Sequence, residues 1–212
     1  MQHIRENSIC PLSYHGIKPS IEKKLGEFSG IWNSGNDTTL ICELYFCLLT
    51  PQSKAKACWA AVVRIKENGL LFQGSADQIK EYLEGVRFHN NKARYINRAK
   101  KEFKKIKKEI TSHQNIFDLR DWLVENVIGF GYKEASHFLR NIGLGAHIAI
   151  LDRHILKNLK LLNVIHEIPS SISKNKYFEI EEMMKDFSKK VNIPLDHLDL
   201  LMWAQETGEI FK

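Results

Sequence analysis

Cysteine is scarce in this chain, and the few residues present are badly spaced for shared chemistry. Cys10, Cys42, Cys47 and Cys58 contain no CxxC pair, and Cys42 with Cys47 lacks a second ligand pair. A disulfide framework is thereby excluded, zinc and iron–sulfur sites gain no support, and buried small thiols are expected. The nine histidines form no HExxH or similar ligand array. Long apolar runs are also missing: Leu40 to Leu49 is the best, Glu43 interrupts it, and it falls short of the roughly 18 residues of a membrane span. Met1 to Leu25 has scattered charges and no apolar signal-peptide core, so a soluble intracellular chain is expected. Repeats, low-complexity segments and long linkers are not found. Period-two strand patterns are nearly lacking too; Asn68-Gly69 is a lone hairpin candidate, and its flanks are helical in pattern.

What is present is an ordinary globular balance over 212 residues, 43% hydrophobic and 26% charged. That rules out disorder and suffices for a core without staples, as one domain or two closely apposed ones. Charge is unevenly spread. From Arg87 to Lys108 ten basic residues face one acid, Glu102, so a segment of +9 sits in a chain of net +6. Ile96, Ala99, Phe103, Ile106 and Ile110 recur there at intervals of three, four, three and four, an apolar stripe on a helix with a cationic opposite face. Such a face is either merely solvated or a surface for a polyanion.

Helical signals account for most of the chain. A short helix is expected over Ile21 to Phe28, a polar break over Asn33 to Thr38, and an almost wholly apolar helix over Leu40 to Leu49. Thr50-Pro51 resembles an N-cap with proline at the first helical position, opening Gln52 to Lys66. Further helices are expected at Ser75 to Glu84, through the basic segment, at Asn115 to Asn126, Tyr132 to Asn141, Arg153 to Leu162, Lys174 to Lys190 and Pro194 to Glu206. The fold class predicted is all-α.

The stretch from Val127 to Leu156 carries the chemistry. Two helices joined by Gly129-Phe130-Gly131 form a tight hairpin, because glycine accepts positive φ and allows close backbone approach. Amides at the start of the second helix can meet a phosphate. Lys133 falls in that helix's first turn, where the dipole and burial both disfavour an ammonium, as a nucleophilic lysine requires. Asp152 follows the apolar run Ile148 to Leu151, which points to a cleft edge. Taken singly, Lys133 could be a surface lysine, Asp152 a helix cap, and the hairpin a non-catalytic DNA-binding element.

Together, Gly129-Phe130-Gly131-Tyr132-Lys133-Glu134-Ala135-Ser136-His137-Phe138-Leu139-Arg140-Asn141 and Ile150-Leu151-Asp152-Arg153-His154-Ile155-Leu156 resemble the helix-hairpin-helix glycosylases. More narrowly, they resemble the second subfamily of 8-oxoguanine DNA glycosylase/lyases, known from archaea and some bacteria. The likeness runs from about Leu40 to Lys212 and is weak over the first thirty or so residues. No cysteine cluster follows the hairpin, unlike the iron–sulfur branch, and no N-terminal β-sheet domain is recognisable, unlike the larger eukaryotic-type subfamily.

The resemblance implies one glycosylase unit over residues 1–212, built of two interleaved helical subdomains with a DNA-binding cleft between them and a helix-hairpin-helix at 116–141. It implies that Lys133 attacks the sugar C1′ and forms a Schiff base, with Asp152 stabilising the cationic sugar. Phe88 and Trp203 match aromatic walls around a flipped base, and Lys212 matches a terminal lysine whose carboxylate reaches the lesion pocket. Gln52 is a candidate wedge filling the vacated space, and Gly129, Gly131, Arg94 and Arg98 are candidate contacts to the DNA backbone. No redox cofactor or divalent metal is implied, though hairpin carbonyls around Ile128 to Gly131 can hold a monovalent cation. The partner implied is double-stranded DNA containing 8-oxoguanine, with no membrane, and the chain is expected to be monomeric, cytoplasmic and nucleoid-associated. Another damaged base as substrate, or a non-catalytic DNA-binding role, are the competing expectations.

Overall fold

The computed structural model describes residues 11–212, with side chains from residue 14 onward; Cys10 lies outside the described residues. These residues form ten α-helices and no strand, as the missing period-two patterns predict. They divide into two compact units, one of residues up to 27 with 146–211, the other of residues 28–145 with Lys212.

In the first unit, α8 (Arg153–Leu161), α9 (Lys174–Val191) and α10 (Leu195–Thr207) pack with the start of α1 (Pro11–Asn33). Ile155, Leu159, Ile180, Met184, Leu198 and Leu201 fill this core. Ahead of α8, the segment 148–151 is fully apolar and buried, yet it is not helical, so its amides need partners. Helix α9 supplies them. Glu181 Oε1 accepts the Ala149 N–H at 2.8 Å, and the Tyr177 hydroxyl donates to Ala149 O at 2.7 Å while accepting the Leu151 N–H at 3.3 Å. The backbone leading into Asp152 is thus pinned to α9 at residues 149 and 151.

The second unit contains α2 (Asp37–Leu49), α3 (Ala55–Glu67), α4 (Ala76–Glu81), α5 (His89–Ser112), α6 (Ile116–Asn126) and α7 (Tyr132–Asn141). Helix α2 is its centre: every residue from Leu40 to Leu49 is buried, and α3, α5 and α7 pack against it. A helix apolar on all sides can satisfy itself only by such complete enclosure. Asn36 caps its start by accepting the Thr38 and Thr39 N–H groups. The stripe Ile96, Ala99, Phe103, Ile106 and Ile110 on α5 is buried as its spacing requires. Cys42, Cys47 and Cys58 are free and buried.

Three local expectations are corrected. Helix α1 runs 23 residues, past Pro19 in its interior, because Tyr14, Ile21 and Phe28, seven apart on one side of the helix, are all buried. Thr50 does not cap α3; it ends α2, its N–H bonding to Phe46 O and its hydroxyl to Cys47 O. Gln52 then adopts φ 54°, and α3 begins only at Ala55 after Lys54. Lys92 does not lie on the cationic face of α5 but is 3% exposed.

Candidate active site

The hairpin between α6 and α7 is a tight backbone reversal. The Val127 N–H bonds to Leu123 O at 2.9 Å and the Phe130 N–H to Val127 O at 3.0 Å. Gly129 has φ 97°, and a Cβ there would fall 2.6 Å from Tyr95 Cδ2 and 3.2 Å from Leu48 Cδ2, so only glycine fits in both conformation and space. Ile128 is exposed at the tip. Gly131 precedes α7 without a side-chain cap of its own; instead Glu134 Oε2 accepts the Gly131 N–H at 3.2 Å.

Lys133 projects from the first turn of α7 with its side chain 23% exposed. Its amine donates to Thr50 Oγ1 at 3.2 Å and lies 3.5 Å from Glu134 Oε1. Because the Thr50 hydroxyl hydrogen points to Cys47 O at 3.0 Å, the oxygen offers its lone pairs to the amine. The Lys133 amine is therefore held between one neutral acceptor and one carboxylate, in the first turn of its helix.

Asp152 caps α8 in the other unit. Its Oδ1 accepts both the His154 and the Ile155 N–H groups at 2.8 Å, so the cap does not draw on Oδ2. The His154 ring lies edge-on to partly exposed Trp203, with centroids 6.4 Å apart. Lys157 bonds Glu206 at 2.9 and 3.0 Å, and this contact holds the Glu206 carboxyl below its usual range.

Phe88 is 54% exposed, which excludes a core role. It takes φ 58° ahead of α5, with the Arg87 guanidinium 5.4 Å from its ring centroid. Gln52 is exposed, on the turn beside Thr50. Arg94 and Arg98 are exposed on α5, and Arg98 also pairs with Glu102 at 2.6 Å. The final residue, Lys212, returns to the second unit. Its ammonium pairs with the Glu43 carboxylate and sits 3.7 Å from the Trp59 ring centroid and 5.7 Å from that of Phe46. Glu43, 2% exposed, also accepts from Asn141 Nδ2 at 3.0 Å. His137 stacks edge-on against Phe46 at 5.4 Å. Burial, then the nearby Arg140 and Lys133 charges, push it well below the ordinary histidine range, against an opposing contact from the Lys212 backbone. It is neutral at physiological pH.

The geometry thus gathers Lys133, Gln52, Phe88, the hairpin and Lys212 in one unit, and Asp152 with Trp203 in the other. A family model described as 8-oxoguanine DNA glycosylase matches residues 21–193. The chain belongs to the 8-oxoguanine DNA glycosylase family. It is 44% identical over 204 residues to the 8-oxoguanine DNA glycosylase/AP lyase of Fusobacterium nucleatum, covering 94% of each chain. Its likeness to the enzyme of the same name from Methanocaldococcus jannaschii is 40% over 198 residues, 92% of this chain and 93% of that one. Among solved structures, the Methanocaldococcus jannaschii glycosylase/lyase in complex with a 15mer DNA containing 8-oxoguanine superposes with TM-score 0.87 at 35% identity, over 97% of this chain and all of that one.

For a member of this family, sequence reasoning missed several polar neighbours of the site. Thr50 at the Lys133 amine, and Glu43, Trp59 and His137 around Lys212, come from distant parts of the chain, whereas Glu134 directly follows Lys133. Glu43 left one signal: a lone carboxylate in a wholly apolar helix has to be paired.

Proposed function

We propose that this chain removes 8-oxoguanine from double-stranded DNA and then cuts the strand at the abasic site by a lysine Schiff base. The observation that carries the mechanism is the Lys133 amine, half-buried directly after the hairpin and resting on the Thr50 hydroxyl. The target nucleotide rotates out of the duplex, at a cost of a few kcal/mol in lost stacking. The amine lone pair attacks C1′, and the bonding pair of the glycosidic bond leaves with the base, which takes up a proton. Opening of the sugar gives a protonated Schiff base; loss of a C2′ proton then expels the 3′ phosphate by β-elimination, and water releases Lys133. No net oxidation occurs, so the steps call for no redox cofactor; the lysine supplies the nucleophile and its iminium draws electrons from C2′, the work a metal-bound water and a Lewis acid would otherwise do. The Asp152 carboxylate offsets the positive charge that develops on the sugar.

Phe88 and Trp203 are proposed as the flat surfaces against the extruded base and Gln52 as the wedge left in the duplex. Gly129, Gly131, Arg94 and Arg98 serve the phosphates. The hairpin carbonyls are neutral oxygen donors, suited to a monovalent cation; replacing potassium with lithium should then weaken binding to undamaged duplex. The Lys212 ammonium, anchored on Glu43 and Trp59, fixes where the terminal carboxylate points, and that carboxylate reads the lesion. Adding two residues after Lys212 should reduce discrimination between 8-oxoguanine and guanine while duplex binding stays; unchanged discrimination removes the tail from the site. Both proposed catalytic residues belong to one chain, in keeping with action as a monomer. Among the described residues no helix is long and apolar enough to cross a membrane, and a DNA substrate puts the enzyme in the cytoplasm with the nucleoid.

Borohydride trapping on a duplex with a single 8-oxoguanine tests the reading. A covalent adduct is expected with the native chain on lesion DNA, and none with undamaged duplex or with Lys133→Gln. An adduct that persists in Lys133→Gln moves the nucleophile elsewhere, and no adduct with the native chain removes the lyase step.

A further inference from the structure

The proposed chemistry leaves one buried ammonium unused. Lys92, near the start of α5, donates to Leu49 O at 2.7 Å, Pro51 O at 2.7 Å and Ser53 Oγ at 2.9 Å. An ammonium has three N–H bonds, and here all three end on the single turn between α2 and α3. Ser53 Oγ also accepts the Arg87 N–H at 3.0 Å, and Cys58 Sγ shares Leu49 O at 3.2 Å. This turn bears Thr50, which receives the Lys133 amine, and Gln52; Arg87 immediately precedes Phe88. Gln52 and Phe88 both hold positive φ, 54° and 58°, although neither is glycine. Such conformations persist where surrounding contacts over-determine them, and they concentrate at working sites.

We infer that Lys92 is a positioning residue for base excision, a cationic strut that fixes the Leu49–Ser53 turn so that Thr50 stays on the Lys133 amine and Gln52 stays projected, and that through Ser53 also sets the Phe88 turn. The inference rests on the roles proposed above for Lys133 and Gln52. Nearest-neighbour charge does not explain the placement of Lys92, since its direct partners are two carbonyls and a hydroxyl. An apolar side chain in its place would leave Pro51 O without this donor and Leu49 O with only the weaker Cys58 thiol. Burial, reinforced by Lys133 and Arg87 and opposed by Cys58 and Glu134, lowers Lys92 to about 8. At neutral pH it therefore keeps all three donors, with little margin.

The test uses the full chain and a duplex carrying one 8-oxoguanine beside 2-aminopurine, whose fluorescence rises when stacking is lost. Single-turnover excision, fluorescence and borohydride trapping are followed for Lys92→Met, Lys92→Arg and Ser53→Ala, each about 20 °C below its own melting midpoint. Lys92→Met is expected to slow excision about 100-fold, the scale of a small misplacement of reacting groups. It should also blunt the fluorescence rise, with binding to undamaged duplex within about twofold, a loss below the scale of one hydrogen bond. Ser53→Ala, which removes one leg of the strut, is expected to slow excision on the order of tenfold, the scale of one hydrogen bond. It keeps the question open to measurement if Lys92→Met does not fold, and Lys92→Arg should recover part of the lost rate. Native excision and fluorescence in a folded Lys92→Met or in Ser53→Ala overturn the inference alone, provided the native chain still traps. A native chain that does not trap overturns the Lys133 reading and this inference with it.

Discussion

Helices α7 and α8 begin in opposite ways. Helix α8 opens on Asp152, whose carboxylate takes two amide hydrogens at the positive end of the dipole, so capping and charge both favour it. Helix α7 opens on a glycine with no side chain to cap it, and carries Lys133 in the first turn, where a cation is disfavoured. Glu134 compensates by reaching back to the Gly131 N–H and standing beside the lysine. One helix start is arranged for stability while holding a carboxylate in place; the other gives up a side-chain cap and carries the proposed nucleophile. The difference shows that a helix start can depart from ordinary capping rules when a neighbouring carboxylate compensates.

Exchanging each residue for its neutral near-isostere should separate the two starts. Lys133→Gln is expected to lower excision by on the order of a thousandfold or more, as for a covalent nucleophile, with a melting temperature unchanged or slightly raised. A large fall in melting temperature would mean that the lysine is structural. Asp152→Asn keeps a good cap but removes the charge, so excision should fall about 100-fold, the scale of one electrostatic partner of the transition state. Its stability should hardly change, whereas Asp152→Ala should also cost about 1 kcal/mol in denaturant titration. If Asn and Ala prove equally stable, the cap contributes nothing.

Gly129→Ala sharpens the α7 side of the comparison. The strained φ together with the clash against Tyr95 should destabilise the chain by about 1–3 kcal/mol and weaken duplex binding; a variant that melts like the native chain would refute the tight-turn account. The smallest effect is expected on α5. Arg94→Gln should flatten the salt dependence of duplex binding by about one unit of slope. Arg98→Gln should change it less, since Glu102 already competes for that guanidinium.

Much of the arrangement was legible in local pattern. The buried face of α5 follows from the spacing of Ile96 to Ile110, the enclosure of α2 from its lack of a polar face, and the bounds of α6, α7 and α8 from Asn115, the glycines and Asp152. The turn after α2 was not. Thr50-Pro51 has the composition of a helix start, but the Thr50 hydroxyl was already committed to the carbonyl of Cys47, and a competition between two helix ends for one side chain leaves no trace in spacing. Lys92 was misplaced for a related reason: among ten basic residues on one segment, nothing local marks the one that turns inward.

The sequence by itself determined most of the helices, the hairpin, and the identities of Lys133 and Asp152 as reactive candidates. Those depend on contacts within a few residues and on side-chain chemistry that is the same in any fold. Only the tertiary structure decided which groups meet the candidate site residues: Thr50 at Lys133, Glu43 and Trp59 at Lys212, and Lys92 beneath the turn. Each joins residues dozens to more than a hundred positions apart, and a buried polar group takes whichever distant partner satisfies it once water is excluded.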